Sequence, residues 1–468
     1  MGAAAGRGAD VGRDGLLELV VGDVAHGGWC VARQPGGRVV FVRHALPGER
    51  VRARITDSTT RFARAEAVEI LAASPDRVVP PCPHARPDGC GGCDWQHASP
   101  EAQRRLKAAV VSQQLRRIAG LEREVTVEPL PGDRGGLGWR TRIRFSVGPG
   151  GVAGLLKHRS HEVVDVGDCP LAHPLVREAG IAGQRWQQVS SLEVSVCPDS
   201  GETAVIVTAA PGRRQAGRGD AGPGNPATRA AAMLSGRASA VLAAGRGGKL
   251  TALRGRGYLR QRAAGRTWRV GAGTFWQVHP GAADALTAAV LEALGPAPGE
   301  VALDLFCGAG LFAGALAEAV GPGGAVIGVE GDRGAVRDAR HNLRGLPWVR
   351  IHHGDVATVL ARGPVPAGEA APATEGVPAG AGWPEAGLAV LDPPRAGLGR
   401  TVIERLLRPP GSSGSRLRRV AYVSCDPATL ARDIAVFGEL GWRLTGLRVF
   451  DAFPMTHHVE CVAALAPG

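Results

Sequence analysis

Three features of the sequence predict a multidomain chain: an N-terminal OB-like β-barrel, a central α+β domain with a metal cluster, and a C-terminal Rossmann-type α/β domain. From about residue 297 strands and helices alternate, the pattern of a doubly wound parallel sheet. Residues 15–72 instead hold short alternating apolar runs broken by glycine and proline turns, as a small barrel requires. Between these parts lies a stretch rich in proline, glycine and cysteine, too loop-like for a core yet dense in potential ligands. At 468 residues the chain has length for about two to four domains.

The barrel is expected over residues 13–73. Its strands are LLELVVGDV, the run GWCVARQPGGRVVFVRHALPGERVRARI and ARAEAVEIL, with turns at Pro35-Gly36-Gly37 and Leu46-Pro47-Gly48. Arg33, Arg38, Arg43 and Arg52 would equip such a barrel for nucleic acid, and ordinary solvated charge explains them equally well. Net charge is +12, and Lys107, Lys157 and Lys249 are the only lysines among 55 basic residues. Arginine forks phosphate and stacks on bases, so a polyanion is the natural partner, although GC-rich coding would also raise arginine. No stretch approaches the ~18 apolar residues of a membrane helix, and residues 1–14 lack a signal peptide's apolar core. Nine cysteines, an odd and unevenly clustered set, argue against a secreted disulfide framework. A cytoplasmic protein is expected, with no membrane association and no obligate protein partner.

Residues 74–270 are expected to form the central domain. Cys90-Gly-Gly-Cys93 is a metal-type spacing, because two intervening residues let both thiolates face one ion. Cys82 lies upstream, and Cys169 could fold back as a fourth ligand. Four thiolates suit Zn²⁺ or an iron–sulfur cluster, and spacing leaves both open. A helix is predicted over Glu101–Arg117. In the run Trp139 to Phe145, a strand would set Arg140, Arg142 and Arg144 on one face, which calls for a phosphate-bearing partner. The Gly/Pro/Arg-rich stretch 210–228 is expected to be flexible.

Residues 271–468 carry the chemistry. Asp304-Leu-Phe-Cys-Gly-Ala-Gly310 follows a strand and opens a helix, the context in which a glycine turn lets backbone approach a ligand. Glu330 ends the next strand, where a carboxylate accepts hydrogen bonds from ribose hydroxyls. This pairing resembles the S-adenosylmethionine loop of Rossmann-type methyltransferases. Asp392-Pro393-Pro394-Arg395 ends a later strand as a rigid turn. Its fourth residue is not the aromatic used for exocyclic amines. Cys425 closes the apolar run RVAYVSC, with Asp426 as N-cap and Pro427 at N1 of a helix, so a thiol of lowered pKa is expected there. Cys307 is expected to be packing, and Cys461 to point away from Glu460 by strand alternation. A flexible surface insertion is expected at 361–387.

Ten ordered segments, among them CGGCDWQHA, WRTRIRFSVG, GTFWQVHPG, LDLFCGAGLF, LDPPRAGLG, YVSCDPATLARD and FPMTHHVECV, give the chain a specific resemblance. It resembles the RNA uracil-5-methyltransferase family, in the branch with an N-terminal TRAM domain and an iron–sulfur cluster. The resemblance implies that Cys425 adds to C6 of uracil and that Glu460 removes the C5 proton. It further implies that Gln277, Phe306, Leu311, Glu330 and Asp392 line the S-adenosylmethionine site. Cys82, Cys90, Cys93 and Cys169 would hold a [4Fe–4S] cluster. RNA is the implied partner, with 23S ribosomal RNA ranked first and transfer RNA second. Seven residues separate Cys82 from Cys90 where the familiar pattern has five, and His279 and Leu311 replace residues that are polar in many relatives. The rival readings are methylation at a base nitrogen or at cytosine, and a non-catalytic RNA-binding iron–sulfur protein.

Overall fold

The computed structural model describes residues 15–34, 36–211, 225–361, 364–365, 383–408 and 417–468. The segments expected to be flexible, 210–228 and 361–387, fall largely outside these residues. Period-two burial builds the first sheet: in Leu17–Ala25, Leu17, Leu19 and Val21 are buried while Glu18 and Val20 are exposed. The strands Leu17–Ala25, Trp29–Arg33, Val39–Arg43, Phe62–Ala72 and Arg50–Ser58 pair in that order, and the last returns to the first to close a barrel. Trp95, from the cysteine-rich stretch, is fully buried against this core, and its Nε1–H donates to Gly28 O at 3.2 Å.

The predicted helix forms over Pro100–Gln114, because Ser99 Oγ accepts from Ala102 N at 3.2 Å and Pro100 needs no donor partner there. It runs on through a π turn, Leu115–Ala119, and Gly120 ends it at φ 66°. Seven strands follow as one sheet in the order Leu250–Arg254, Ala240–Ala244, Thr203–Ala209, Val189–Val196, Arg142–Val147, Ala153–Leu156, Val163–Val164. The strand Arg142–Val147 alternates as expected, with Ile143 and Phe145 buried and Arg142 and Arg144 on the other face, but Arg142 is already paired. Arg142 lies 2.5 Å from Glu193 on the neighbouring strand and donates to the carbonyls of Thr274 and Ala272. Its charge is neutralised within the protein. Arg144 donates to Ser191, and Arg140 lies before the strand.

The last sheet has eight strands, ordered Val349–His353, Ala325–Glu330, Val301–Leu305, Leu388–Leu391, Arg419–Ser424, Glu460–Pro467, Trp442–Asp451, Val127–Pro129. The first five run parallel, and Glu460–Pro467 enters antiparallel, as the expected final hairpin. Both faces are buried: Leu303, Leu305, Val420 and Tyr422 pack into one cluster, and Ala302, Ala421 and Val423 into another. Val127–Pro129, from far upstream, extends the far edge. Strand order reverses beside Val301–Leu305, and a crevice opens at the carboxyl ends there.

Candidate active site

Strand register brings the two proposed reacting groups together. Ser424 pairs with Cys461, so Cys425 and Glu460, one step further, stand opposite one another at the same end of adjacent strands. Directly opposed residues of an antiparallel pair project to the same face. Beyond Cys425 the chain turns at once into the helix Pro427–Glu439, whose N-cap Asp426 accepts from Thr429 N at 2.8 Å. The expected cap is present.

The expected acidic thiol is not. Burial foremost, then the carboxylates of Glu460, Asp392 and Asp426, push the Cys425 pKa up to about 11, with Arg395 opposing them. A helix N-terminus offers partial charge over one turn, whereas burial and several acids act together on the sulfur. Glu460, 4% exposed, is itself held well above the usual carboxylate range by burial and then by Asp392. Asp392 is raised to about 7 by burial and Glu330. The site therefore retains protons that isolated acids would have lost.

Gln277, Phe306, Leu311, Glu330, Asp392, Cys425 and Glu460 all line one cavity of about 960 Å³. Its floor is the glycine turn. Phe306 takes φ 67° and Gly310 φ 92°, and a Cβ on Gly310 would lie 2.9 Å from Leu343 Cδ1. Beneath the turn, fully buried Asp304 accepts from Ala313 N at 2.7 Å through Oδ2, while its Oδ1 has no partner. Asp304 thus supplies the helix Leu311–Val320 with the side-chain acceptor that Gly310 lacks, and burial raises its pKa to about 8. Glu330 accepts from Gly308 N at 2.9 Å and from Asp332 N at 2.7 Å, so the acid braces the turn as well as facing the cavity.

Several cavity residues had no place in the predicted site. Arg395, His158, Asp94, His457 and His458 all line it. His457 Nδ1 lies 2.6 Å from Asp94 Oδ2, and the two histidine rings are 4.0 Å apart. The signal was present for the histidines, which immediately precede Val459-Glu460, and for Arg395 in the proline turn. Asp94 and His158 meet them only through folding. His279 is buried and stacked on Trp139, away from the cavity wall. Cys307 borders the cavity but packs in the core, and Cys461 is buried in the cluster on the opposite sheet face.

Cys82, Cys90, Cys93 and Cys169 line a second, small pocket that shares Gly92 and Arg140 with the first. Burial foremost, and neighbouring thiols, raise the pKa of Cys90 and Cys93. Gln96 Nε2 and Gly92 N donate to the sulfurs of Cys93 and Cys90 at 3.0 and 3.4 Å. Such donors favour thiolates. Among the described residues no group of three or more His, Cys, Asp or Glu side chains is placed to hold a metal ion.

A doubly wound sheet with a glycine turn and a cysteine at its carboxyl edge defines the class, a methyltransferase fold joined to a β-barrel. Residues 17–68 match the TRAM domain model, and residues 385–466 match the model described as tRNA (Uracil-5-)-methyltransferase. An uncharacterized RNA methyltransferase of Streptomyces avermitilis is 47% identical, covering 96% of this chain and 98% of the relative. The 23S rRNA (uracil(1939)-C(5))-methyltransferase RlmD of Alkalilimnicola ehrlichii is 33% identical, covering 96% of each chain. Pyrococcus abyssi tRNA (uracil-54, C5)-methyltransferase, solved with S-adenosyl-L-homocysteine, shares the fold at TM-score 0.67 and 22% identity over 96% of this chain and 99% of that one. The chain belongs to the RNA uracil-5-methyltransferase family.

Proposed function

We propose that this protein methylates C5 of uridine in RNA, drawing on S-adenosylmethionine and a transient bond between Cys425 and C6 of the base. The observation that carries this reading is the opposition of Cys425 and Glu460 on the wall of the cavity floored by the glycine turn. Gln277, Phe306, Leu311, Glu330 and Asp392 would hold the methyl donor, and Gly308, at φ +53° on the cavity wall with nothing within 4 Å of where a Cβ would stand, leaves its backbone open to a nucleoside-type ligand. When bound, S-adenosylmethionine supplies an electrophilic methyl group.

Cys425 loses its proton to solvent and its sulfur bonds to C6 of uracil. The C5–C6 π electrons shift toward O4, so C5 becomes nucleophilic and accepts the methyl group. Glu460 then takes the C5 proton, the C5–C6 double bond re-forms and the thiolate departs. A carboxylate of high proton affinity suits that last step. Arg395 is the cation whose charge favours the thiolate. The target base must leave its stack to reach the thiol, and Phe275, 64% exposed on the cavity wall, offers it an aromatic face.

We read residues 13–73 as the RNA-binding barrel, 74–270 as the cluster-bearing domain and 271–468 as the methyltransferase domain. The similarity to the Alkalilimnicola protein favours 23S ribosomal RNA over transfer RNA. Cys82, Cys90, Cys93 and Cys169 would hold a [4Fe–4S] cluster. Four neighbouring thiolates need compensating positive charge, which an iron–sulfur cluster would supply. Its role there is structural, tying the loop at Cys90 to the segment at Cys169. A cytoplasmic location fits these roles.

The test is incubation with 5-fluorouridine-containing fragments of ribosomal and transfer RNA. Fluorine at C5 cannot leave as a proton does, so a covalent RNA adduct should accumulate on Cys425. Should no fragment be trapped while S-adenosylmethionine is bound, the reading fails.

A further inference from the structure

The hairpin turn between the barrel strands Leu17–Ala25 and Trp29–Arg33 packs against residues beside the cavity. His26 Nε2 lies 3.3 Å from Asp426 Oδ2. Asp426 directly follows Cys425 and caps its helix, so the turn grips the corner that aims the sulfur. Two residues on, Gly28 lies against the loop that leads into the strand Glu460–Pro467. A Cβ there would come 3.0 Å from His457 Cβ and 3.1 Å from Asp94 Cβ, with φ at +80°. His457 stands three residues before Glu460. Trp95 pins the turn by its hydrogen bond to Gly28 O.

One tight turn therefore touches the flanks of both the proposed nucleophile and the proposed base. The side chains of His26 and Asp426 are 37% and 25% exposed, so the contact is partly shielded from water. Burial works against the Asp426 carboxylate, but hydrogen bonds from His26 and Thr429 outweigh it and hold its pKa well below the usual range. A surface pair of incidental origin would have no reason to end beside the cysteine. We propose that the barrel completes the active site, with His26 a positioning residue that holds Asp426 and so fixes the Cys425 corner. This inference rests on the proposed methyl-transfer reading and extends it. RNA seated on the barrel would then be sensed at the sulfur.

The experiment measures adduct formation on 5-fluorouridine RNA under single-turnover conditions, with the full chain, S-adenosylmethionine and increasing RNA. His26→Ala should slow the rate at saturating RNA on the order of tenfold, as small misplacements of reacting groups do, without changing the RNA concentration at half-saturation. His26→Gln, which can still donate to Asp426, should recover most of that loss. Gly28→Ala, which forces the turn off His457, should slow the same step. A His26→Ala rate equal to wild type, or a loss confined to RNA affinity, overturns the inference and leaves the barrel a tether. If His26→Ala melts at lower temperature, an unchanged saturated rate in Gly28→Ala overturns it instead. Absence of adduct in the wild type overturns the functional reading itself.

Discussion

Lys107 Nζ lies 2.5 Å from Asp451 Oδ1, joining groups 344 residues apart, and both side chains are buried. The ammonium also donates to Phe453 O at 3.0 Å, and Gln103 Oε1 accepts from Met455 N at 2.8 Å. The helix Pro100–Gln114 thereby anchors the segment leading to Glu460. Removing one partner of a buried pair leaves the other charge uncompensated. Lys107→Ala should destabilise the protein by about 3–5 kcal/mol in urea unfolding, whereas Lys107→Met with Asp451→Leu should recover much of it. An unchanged midpoint in the single variant would mean that the pair contributes nothing.

Glu460→Gln separates addition from elimination. The amide cannot take the C5 proton, so turnover should fall by about 10²–10⁴ while an adduct with ordinary uridine builds up. Denaturing gels would show RNA-linked protein without fluorinated substrate. If the variant releases methylated RNA at the wild-type rate, another group is the base.

Cys425→Ser should abolish methylation while preserving S-adenosylmethionine binding by calorimetry, because serine keeps the corner but not the nucleophile. In the wild type, the thiol raised to about 11 makes thiolate scarce at neutral pH. The rate of adduct formation should therefore climb with pH across about 6 to 9. A flat profile would indicate that the bound partners set the ionisation.

Asp304 ties stability to pH. Its folded pKa of about 8 lies above the unfolded value, near about 4, so between these the folded state keeps a proton that the unfolded state has lost. Stability should fall as pH rises through that window and level off beyond it. Asp304→Asn keeps an acceptor for Ala313 N and removes this slope. Melting curves of variant and wild type should converge near pH 4 and separate toward about pH 8, with the variant the more stable. Parallel curves would contradict the assignment.

Protein isolated without oxygen should contain iron and sulfide, and Cys90→Ser should lose most of both. Zinc in place of iron in the wild type would identify a different occupant for the pocket.

Much of the architecture was legible because it is encoded locally. Alternating apolar runs marked the barrel strands, alternating strands and helices marked the doubly wound sheet, and Asp426 announced a helix start through a bond spanning three residues. The glycine turn and the cysteine at a strand end belong to the same short-range grammar. Less legible was everything set by which distant segments meet. Glu193 neutralises Arg142 in a neighbouring strand, and Val127–Pro129 extends a sheet whose remaining strands begin far downstream. The opposition of Cys425 to Glu460 follows from a register that no local pattern specifies.

The amino-acid order alone determined the barrel, the doubly wound sheet and the residue types that stand at its strand ends, because propensity, capping and turn geometry depend on near neighbours. Tertiary structure alone decided the protonation of those groups and the reach of His26 to Asp426. Desolvation and Coulomb forces act through space, and the acids that raise the Cys425 pKa come from separate strand ends that meet only when the sheet forms.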